Sequence, residues 1–215
     1  MINGAIFDLD GTLLDSMGVW EVYGTGYLES LGVAAKPGLN ETIIRMSLAQ
    51  GCEYLRKEYN LPLTVKQIAE GINDMVYDEY AFRVQPKPGA VKFVRKLFDR
   101  GIKMAVATAT DEPLVSAALK RIGILDCFGK IFTCTKVGHG KDEPIIYNEA
   151  LSFLGTDKSD TVVFEDALHC AFTAKNAGFR VIGVQDDFEK KSDEMRELCD
   201  GFYMSFEEFD LKELI

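Results

Sequence analysis

Nowhere in the 215 residues does an uninterrupted apolar run approach the ~20 residues that a membrane-spanning helix needs. Cysteine is sparse and unpatterned. Cys52, Cys127, Cys134, Cys170 and Cys199 are odd in number and include no CxxC pair, so neither a disulfide framework nor a zinc framework is expected. The two histidines, His139 and His169, form no HxH or HExxH spacing, which leaves a transition-metal site without support. Each reads as a structural or surface residue. Positive charge is short, with 24 Lys and Arg against 34 Asp and Glu and a net charge of -10. Such a chain repels polyphosphate at long range, so nucleic acid is not expected as a general partner. A small anionic substrate would need local positive charge in its pocket. The start lacks the basic, apolar, small-residue layout of a secretory signal, which with the thiols leads us to expect a cytoplasmic protein. No heptad seam is visible, and a monomer is expected.

What is present is ordinary globular composition, 47% hydrophobic and 27% charged. The stretch Phe7–Ser16, FDLDGTLLDS, stands out. An apolar run, Ala5-Ile6-Phe7, leads into Asp8-Leu9-Asp10 and then Gly11-Thr12. In an extended strand side chains alternate, so Asp8 and Asp10 share a face while Leu9 turns away. Two carboxylates that close do not both ionise cheaply without positive charge between them. A divalent cation with oxygen ligands is the simplest candidate. Gly11 allows a sharp turn and leaves room for a ligand.

From about residue 16 to residue 85 the pattern is helical. Trp20, Tyr23, Tyr27 and Leu31 recur at helical spacing before Gly32. A helix over about 41–59 is expected to break near Gly51. Val65, Ile68, Ile72, Met75 and Val76 form a stripe behind a Thr64/Gln67 capping box. Pro86-Lys87-Pro88-Gly89 punctuates the next boundary. Strand-like and helix-like pieces then alternate: helices lined by Val91/Val94/Phe98, by Val115/Ala118/Leu119/Ile122 and by Ile146/Ala150/Phe153/Leu154, a helix over 167–177, and strands over 102–108, 130–134, 161–164 and 180–184. The tail after Asp186 is charged and reads as two helical pieces. Alternation of this kind predicts an α/β fold, a Rossmann-like parallel sheet flanked by helices, with an all-helical domain inserted after the first strand. The expected division is a core of residues 1–15 and 86–215 and a helical domain of residues 16–85.

In open α/β sheets ligands sit beyond the carboxyl ends of the strands. Those positions carry Asp8 and Asp10, then Thr108, then Lys141 in Gly138-His139-Gly140-Lys141, then Glu165-Asp166. Three carboxylates can hold a cation; a hydroxyl and an ammonium can hold phosphate oxygens. The acids also suit the N-terminus of the following helix, so capping is an alternative reading of Glu165-Asp166.

The order of these groups resembles the haloacid dehalogenase superfamily. DLDGT at Asp8–Thr12 is similar to its first motif, Thr108 to the second, Lys141 to the third and Glu165-Asp166 to the fourth; around Lys141, GKDEP keeps one proline, Pro144, of the commoner KPxPD pattern. The position of the insert resembles the cap of the phosphoglycolate phosphatase and β-phosphoglucomutase group. The resemblance implies a Mg²⁺-dependent phosphatase for a small phosphorylated metabolite. Asp8 would be the nucleophile and Asp10 the general acid and base. Thr108, Ala109 and Lys141 would bind phosphate, and Mg²⁺ would lie between Asp8, the Asp10 backbone carbonyl and Asp166, with Glu165 ordering its shell. Asp10 favours phosphoester chemistry over dehalogenation, because only an oxygen leaving group needs an acid. Trp20 and Arg45 are candidate substrate contacts from the cap; Tyr23, Tyr27, Tyr77 and Tyr80 read as cap core. Two alternatives stand beside this reading: a β-phosphoglucomutase-like phosphotransferase, and a non-catalytic regulator that binds a phosphometabolite or a protein partner. Where the mutases typically carry a cap histidine and a VSR loop, this chain has Trp20 and Met46-Ser47-Leu48.

Overall fold

The computed structural model of the protein describes residues 2–44 and 46–209. In chain order its elements are β1 (Gly4–Phe7), β2 (Leu14–Asp15), α1 (Met17–Glu21), α2 (Tyr23–Ser30), α3 (Leu39–Ile43), α4 (Leu48–Glu58), α5 (Val65–Asp78), β3 (Gln85–Pro86), α6 (Ala90–Asp99), β4 (Lys103–Thr108), α7 (Glu112–Arg121), β5 (Lys130–Thr133), α8 (Cys134–Val137), α9 (Ile145–Leu154), β6 (Thr161–Glu165), α10 (Leu168–Asn176), β7 (Arg180–Val184), α11 (Ser192–Leu198) and β8 (Gly201–Tyr203).

Six strands pair in parallel in the order β5-β4-β1-β6-β7-β8. The two-residue period of β1 divides the core. Ala5 and Phe7 face one side, where α6 and α7 deliver Phe93, Val94, Val115 and Leu119. Ile6 faces the other, against Ile146, Tyr147 and Ala150 of α9 and Ala171 of α10. Because β1 is buried on both faces its apolar run is continuous rather than alternating, as for any interior parallel strand. Phe7 and Phe164 stack with ring centroids 4.4 Å apart at the end of β1 and β6, fixing the level from which the next residues emerge.

Between β1 and α6 the chain leaves the sheet. Helices α2 to α5 close around a separate apolar cluster that includes Tyr23, Leu28, Leu55, Ile68 and Ile72. The Thr64/Gln67 capping box that starts α5 is formed in both directions. The outward and returning crossings pair with each other, as β2 lies antiparallel to β3 with Leu14 opposite Pro86 and Asp15 opposite Gln85.

Several expectations are corrected. The break in the 41–59 region falls between Ile43 and Leu48, where Ser47 caps α4, and Gly51 lies inside that helix. Gly51 is there for space: an added Cβ would sit 2.6 Å from the Tyr23 hydroxyl. The Trp20–Leu31 stripe is two helices, divided at Val22. Met75, Phe98 and Phe153 match the apolar spacing of their helices yet are more than one-third exposed, and so is Tyr77, expected in the cap core. Among the described residues, the tail after Asp186 contains α11, followed by β8, which adds a strand to the sheet edge at Ile182–Val184, and a 3₁₀ turn, Phe206–Glu208, in place of two helical pieces. No helix among the described residues is long and apolar enough to cross a membrane.

Candidate active site

The carboxyl ends of β1, β4 and β6 are neighbours in the sheet, so the residues that follow them converge. Asp8 leaves β1 with its backbone N–H donated to the carbonyl of Phe164, 3.0 Å away. Thr108 closes β4, and Glu165 closes β6 with Asp166 next in line. Lys141 reaches in from the loop between α8 and α9. Its ammonium donates to Asp8 Oδ1 and to Glu165 Oε1, the latter at 2.7 Å. The Tyr147 hydroxyl also donates to Glu165 Oε1, at 2.7 Å. Thr12 Oγ1 donates to Asp166 Oδ1 at 2.9 Å. Neither acid caps α10: its N-cap is Ala167, with no side-chain hydrogen bond, so the capping alternative is corrected.

Oxygens of Asp8, Glu165 and Asp166 lie within 4.8 Å of one another, and all three residues are buried. Burial is the main reason that the Asp8 carboxyl is pushed up to about 7; Lys141 opposes this, and Glu165 and Asp10 add to it. Asp166 is raised well above the usual carboxylate range, by burial first and then by Asp8 and Glu165. For Lys141 burial acts to lower the ammonium's pKa, but Asp8 and Glu165 outweigh it and hold the group charged. One ammonium against three carboxylates leaves a formal charge of -2 in a buried space. Glu165 Oε2 is buried without a hydrogen-bond partner. An orphaned buried carboxylate oxygen is costly, and three carboxylates, all oxygen ligands, suit a hard divalent cation. Gly11 contributes the space: its φ is +82°, and an added Cβ would lie 2.2 Å from Asp166 Oδ2.

The Asp10 carboxylate points elsewhere. Oδ1 accepts from Ser16 Oγ at 2.6 Å and from the Tyr80 hydroxyl, and Oδ2 accepts from Thr110 Oγ1 at 2.7 Å. Tyr80 in turn accepts from Trp20 Nε1 at 2.6 Å.

All of these acids border one cavity of about 320 Å³ between the sheet edge and the inserted helices. Asp8, Asp10, Thr108, Ala109, Lys141, Glu165 and Asp166 line it from the sheet side, and Trp20 lines it from the helical side. Arg45 lies outside the described residues; Ile44 and Met46 on either side of it border the cavity. His139 is exposed, 3.2 Å from Glu143, whereas His169 reaches the cavity wall, a position its sequence context did not disclose. Sequence reasoning also missed Thr110, Tyr80 and Tyr147. Thr110 had a signal, since it stands two residues beyond Thr108. Tyr80 had none beyond its place just before the return crossing.

Residues 5–184 match the family profile described as haloacid dehalogenase-like hydrolase. The chain belongs to this family. Among haloacid dehalogenase-like relatives, hexitol phosphatase B of Escherichia coli strain K12 is 25% identical over 217 residues, covering 100% of this chain and 97% of the relative. A phosphorylated carbohydrates phosphatase of Thermotoga maritima is 27% identical over 188 residues, 85% of each chain. The crystal structure of CbbY from Rhodobacter sphaeroides superposes with a TM-score of 0.85 at 24% identity, over 97% of this chain and 96% of that one. That likeness concerns the fold. Family membership makes the chain a hydrolase in which the buried acids at the strand ends are the natural place to look for chemistry.

Proposed function

We propose that this enzyme is a phosphatase that hydrolyses monoesters of small phosphorylated metabolites through an aspartyl-phosphate on Asp8. One observation carries the reading: Asp8, a lysine ammonium and two further carboxylates meet at the floor of a cavity large enough for a small metabolite. A carboxylate nucleophile divides hydrolysis into two easier displacements. The phosphoryl group of the substrate is anionic, so an all-carboxylate floor would repel it. The chain's own answer is Lys141, which can exchange contact with Asp8 for contact with a phosphate oxygen, helped by the Thr108 hydroxyl and the Ala109 backbone N–H.

Asp8 and Asp166, with the Asp10 carbonyl, would hold Mg²⁺, and the partnerless Glu165 Oε2 would order its surroundings. When bound, the ion supplies the positive charge that lets an anionic nucleophile approach an anionic phosphate. Asp10 borders the same cavity with a carboxylate outside the metal cluster, the arrangement required of a group that donates a proton to the leaving oxygen and then takes one from water.

The helices between residues 16 and 85 act in this reading as a cap on a core of residues 1–15 and 86–215. Hinging at the β2–β3 ribbon would close the cavity and exclude water. The mixed lining suits a polyol or sugar phosphate. Trp20, Ile44 and Leu48 offer apolar contact while Ser47 and Gln50 offer hydrogen bonds, and relatives named for hexitol and carbohydrate phosphates fit that lining.

The test is a panel of phosphorylated metabolites with Mg²⁺, read by released phosphate, for wild type and Asp8→Asn. The account expects free phosphate from at least one sugar or polyol phosphate and none from the variant. Undiminished turnover by Asp8→Asn would refute the covalent route. Interconversion of β-glucose 1-phosphate and 6-phosphate without free phosphate would replace hydrolysis by phosphotransfer.

A further inference from the structure

The hydrogen bonds around Asp10 have a direction that the atoms themselves impose. An indole N–H can only donate. Trp20 Nε1 lies 2.6 Å from the Tyr80 oxygen, so Tyr80 is the acceptor there. Thr110 also lies beside the hydroxyl, and the single Tyr80 proton goes to Asp10 Oδ1. A tyrosine hydroxyl, with an ordinary pKa of about 10, keeps this proton at neutral pH and remains a donor. Ser16 Oγ gives Oδ1 a second hydrogen bond at 2.6 Å. A carboxylate oxygen has two lone-pair directions, and both on Oδ1 are thus taken. Oδ2 accepts one hydrogen bond, from Thr110 Oγ1 at 2.7 Å, leaving one direction open.

The placement of Tyr80 is specific. It is fully buried and sits in a one-turn π-helix, Glu79–Arg83, that ends α5. Such turns insert a residue and re-aim side chains, and they recur at functional sites. Arg121 of α7 fastens this turn to the core by donating to the carbonyls of Tyr80, at 3.2 Å, and Val84. A buried tyrosine needs a partner for its hydroxyl, but any acceptor would serve that need. Here the acceptor is a cavity-lining carboxylate that stands apart from the metal cluster.

We propose that Tyr80, directed by Trp20, is a positioning residue for Asp10: with Ser16 it saturates Oδ1, so that the proton exchanged with the leaving group is carried on Oδ2. This rests on the functional reading above. In the first step an Asp8 oxygen bonds to phosphorus, the ester P–O bond breaks with its electron pair on the leaving oxygen, and that oxygen takes the proton from Asp10 Oδ2. In the second, water bonds to phosphorus, its proton returns to Oδ2, and the Asp8–phosphorus bond breaks to release phosphate.

The test uses two aryl esters of similar size in the intact enzyme with Mg²⁺. Phenyl phosphate has a basic leaving group that needs a proton, whereas dinitrophenyl phosphate does not. Tyr80→Phe keeps the buried ring and is expected to lower kcat/KM for phenyl phosphate by about tenfold or more, while the dinitrophenyl ester loses less than about threefold. Trp20→Phe keeps the Tyr80 hydroxyl but removes the donor that directs it, and should show the same selectivity at smaller size; it decides the matter if Tyr80→Phe does not fold. Tyr77→Phe, on the exposed side of α5, is the control. Where the loss for phenyl phosphate exceeds that for dinitrophenyl phosphate by more than about threefold the proposal stands. An equal loss for the two, or none, overturns it and leaves Tyr80 a purely structural residue. Asp8→Asn run in parallel keeps the two levels apart, because turnover surviving in that variant defeats the functional reading itself.

Discussion

Replacing Lys141 by methionine removes the only ammonium from a cluster of three buried carboxylates while nearly preserving side-chain length. Lys141 is 8% exposed, and its partners Asp8 and Glu165 are at least as enclosed. Deleting one member of a buried ion pair strands the other, at a cost of about 3–5 kcal/mol. For a domain of this size about 1 kcal/mol moves Tm by about 2–4 °C, so cation-free Lys141→Met should melt on the order of 10 °C below wild type. The pH dependence has a definite sign. The folded-state Asp8 carboxyl is raised from 3.8 to about 7. Between those values the folded protein binds more protons than the unfolded chain, so its stability falls as pH rises through that window. Loss of Lys141 removes the positive charge that opposes this rise, so the variant's deficit should grow from acid toward neutral pH and beyond. Mg²⁺ supplies substitute charge, and stabilisation by a ligand follows its affinity. The Tm increase on adding Mg²⁺ should therefore be larger in Lys141→Met than in wild type. The assay is thermal denaturation by circular dichroism across pH, with and without Mg²⁺. A variant that melts with wild type, or gains no more than wild type from Mg²⁺, would refute the electrostatic account of the cluster.

Gly11→Ala forces a Cβ into the space held by Asp166 and places alanine at a φ of +82°; phosphatase activity should fall by at least about 100-fold, with only a modest change in Tm. Away from the cavity, Lys87 donates to Asp186 Oδ2 at 2.6 Å and to the Gln185 carbonyl at 3.0 Å, tying the return crossing to the end of β7. Lys87→Met should cost about 3 kcal/mol in chemical denaturation, and Lys87→Met combined with Asp186→Leu should cost less than the single change, because no unpaired charge remains. By contrast, the exposed pair Arg83–Glu79 should contribute less than about 1 kcal/mol.

The parts of this fold that were legible in the sequence are those written locally. The apolar run before Asp8, the Thr64/Gln67 box and Gly32 just past the end of α2 each act within a few residues, and each is found where its chemistry places it. The acids at the strand ends were legible for a related reason: a parallel sheet puts its ligand at one edge, so chain order alone gathers Asp8, Thr108 and Glu165. What escaped depends on distant partners. β2 and β3 have two residues each and no period to detect; they exist because two crossings run side by side. β8 pairs with β7 over three residues that follow a charged helix. Gly51 looked like a helix breaker, yet the Tyr23 hydroxyl, far away in sequence, is what requires it. Phe98 and Phe153 keep helical spacing yet remain 44% and 47% exposed. Tyr80 is the clearest case. As a sequence position it is one more aromatic in a helix, and only the π turn and the Arg121 hydrogen bonds bring its hydroxyl to Asp10.

The most direct test of the account is to quench the enzyme with acid during turnover of a substrate from the metabolite panel and map phosphorylated peptides by mass spectrometry. A single phosphoryl group on the peptide carrying Asp8, formed and discharged at rates that match turnover and absent from Asp8→Asn, is the expected result. Full turnover with Asp8 never phosphorylated would contradict it.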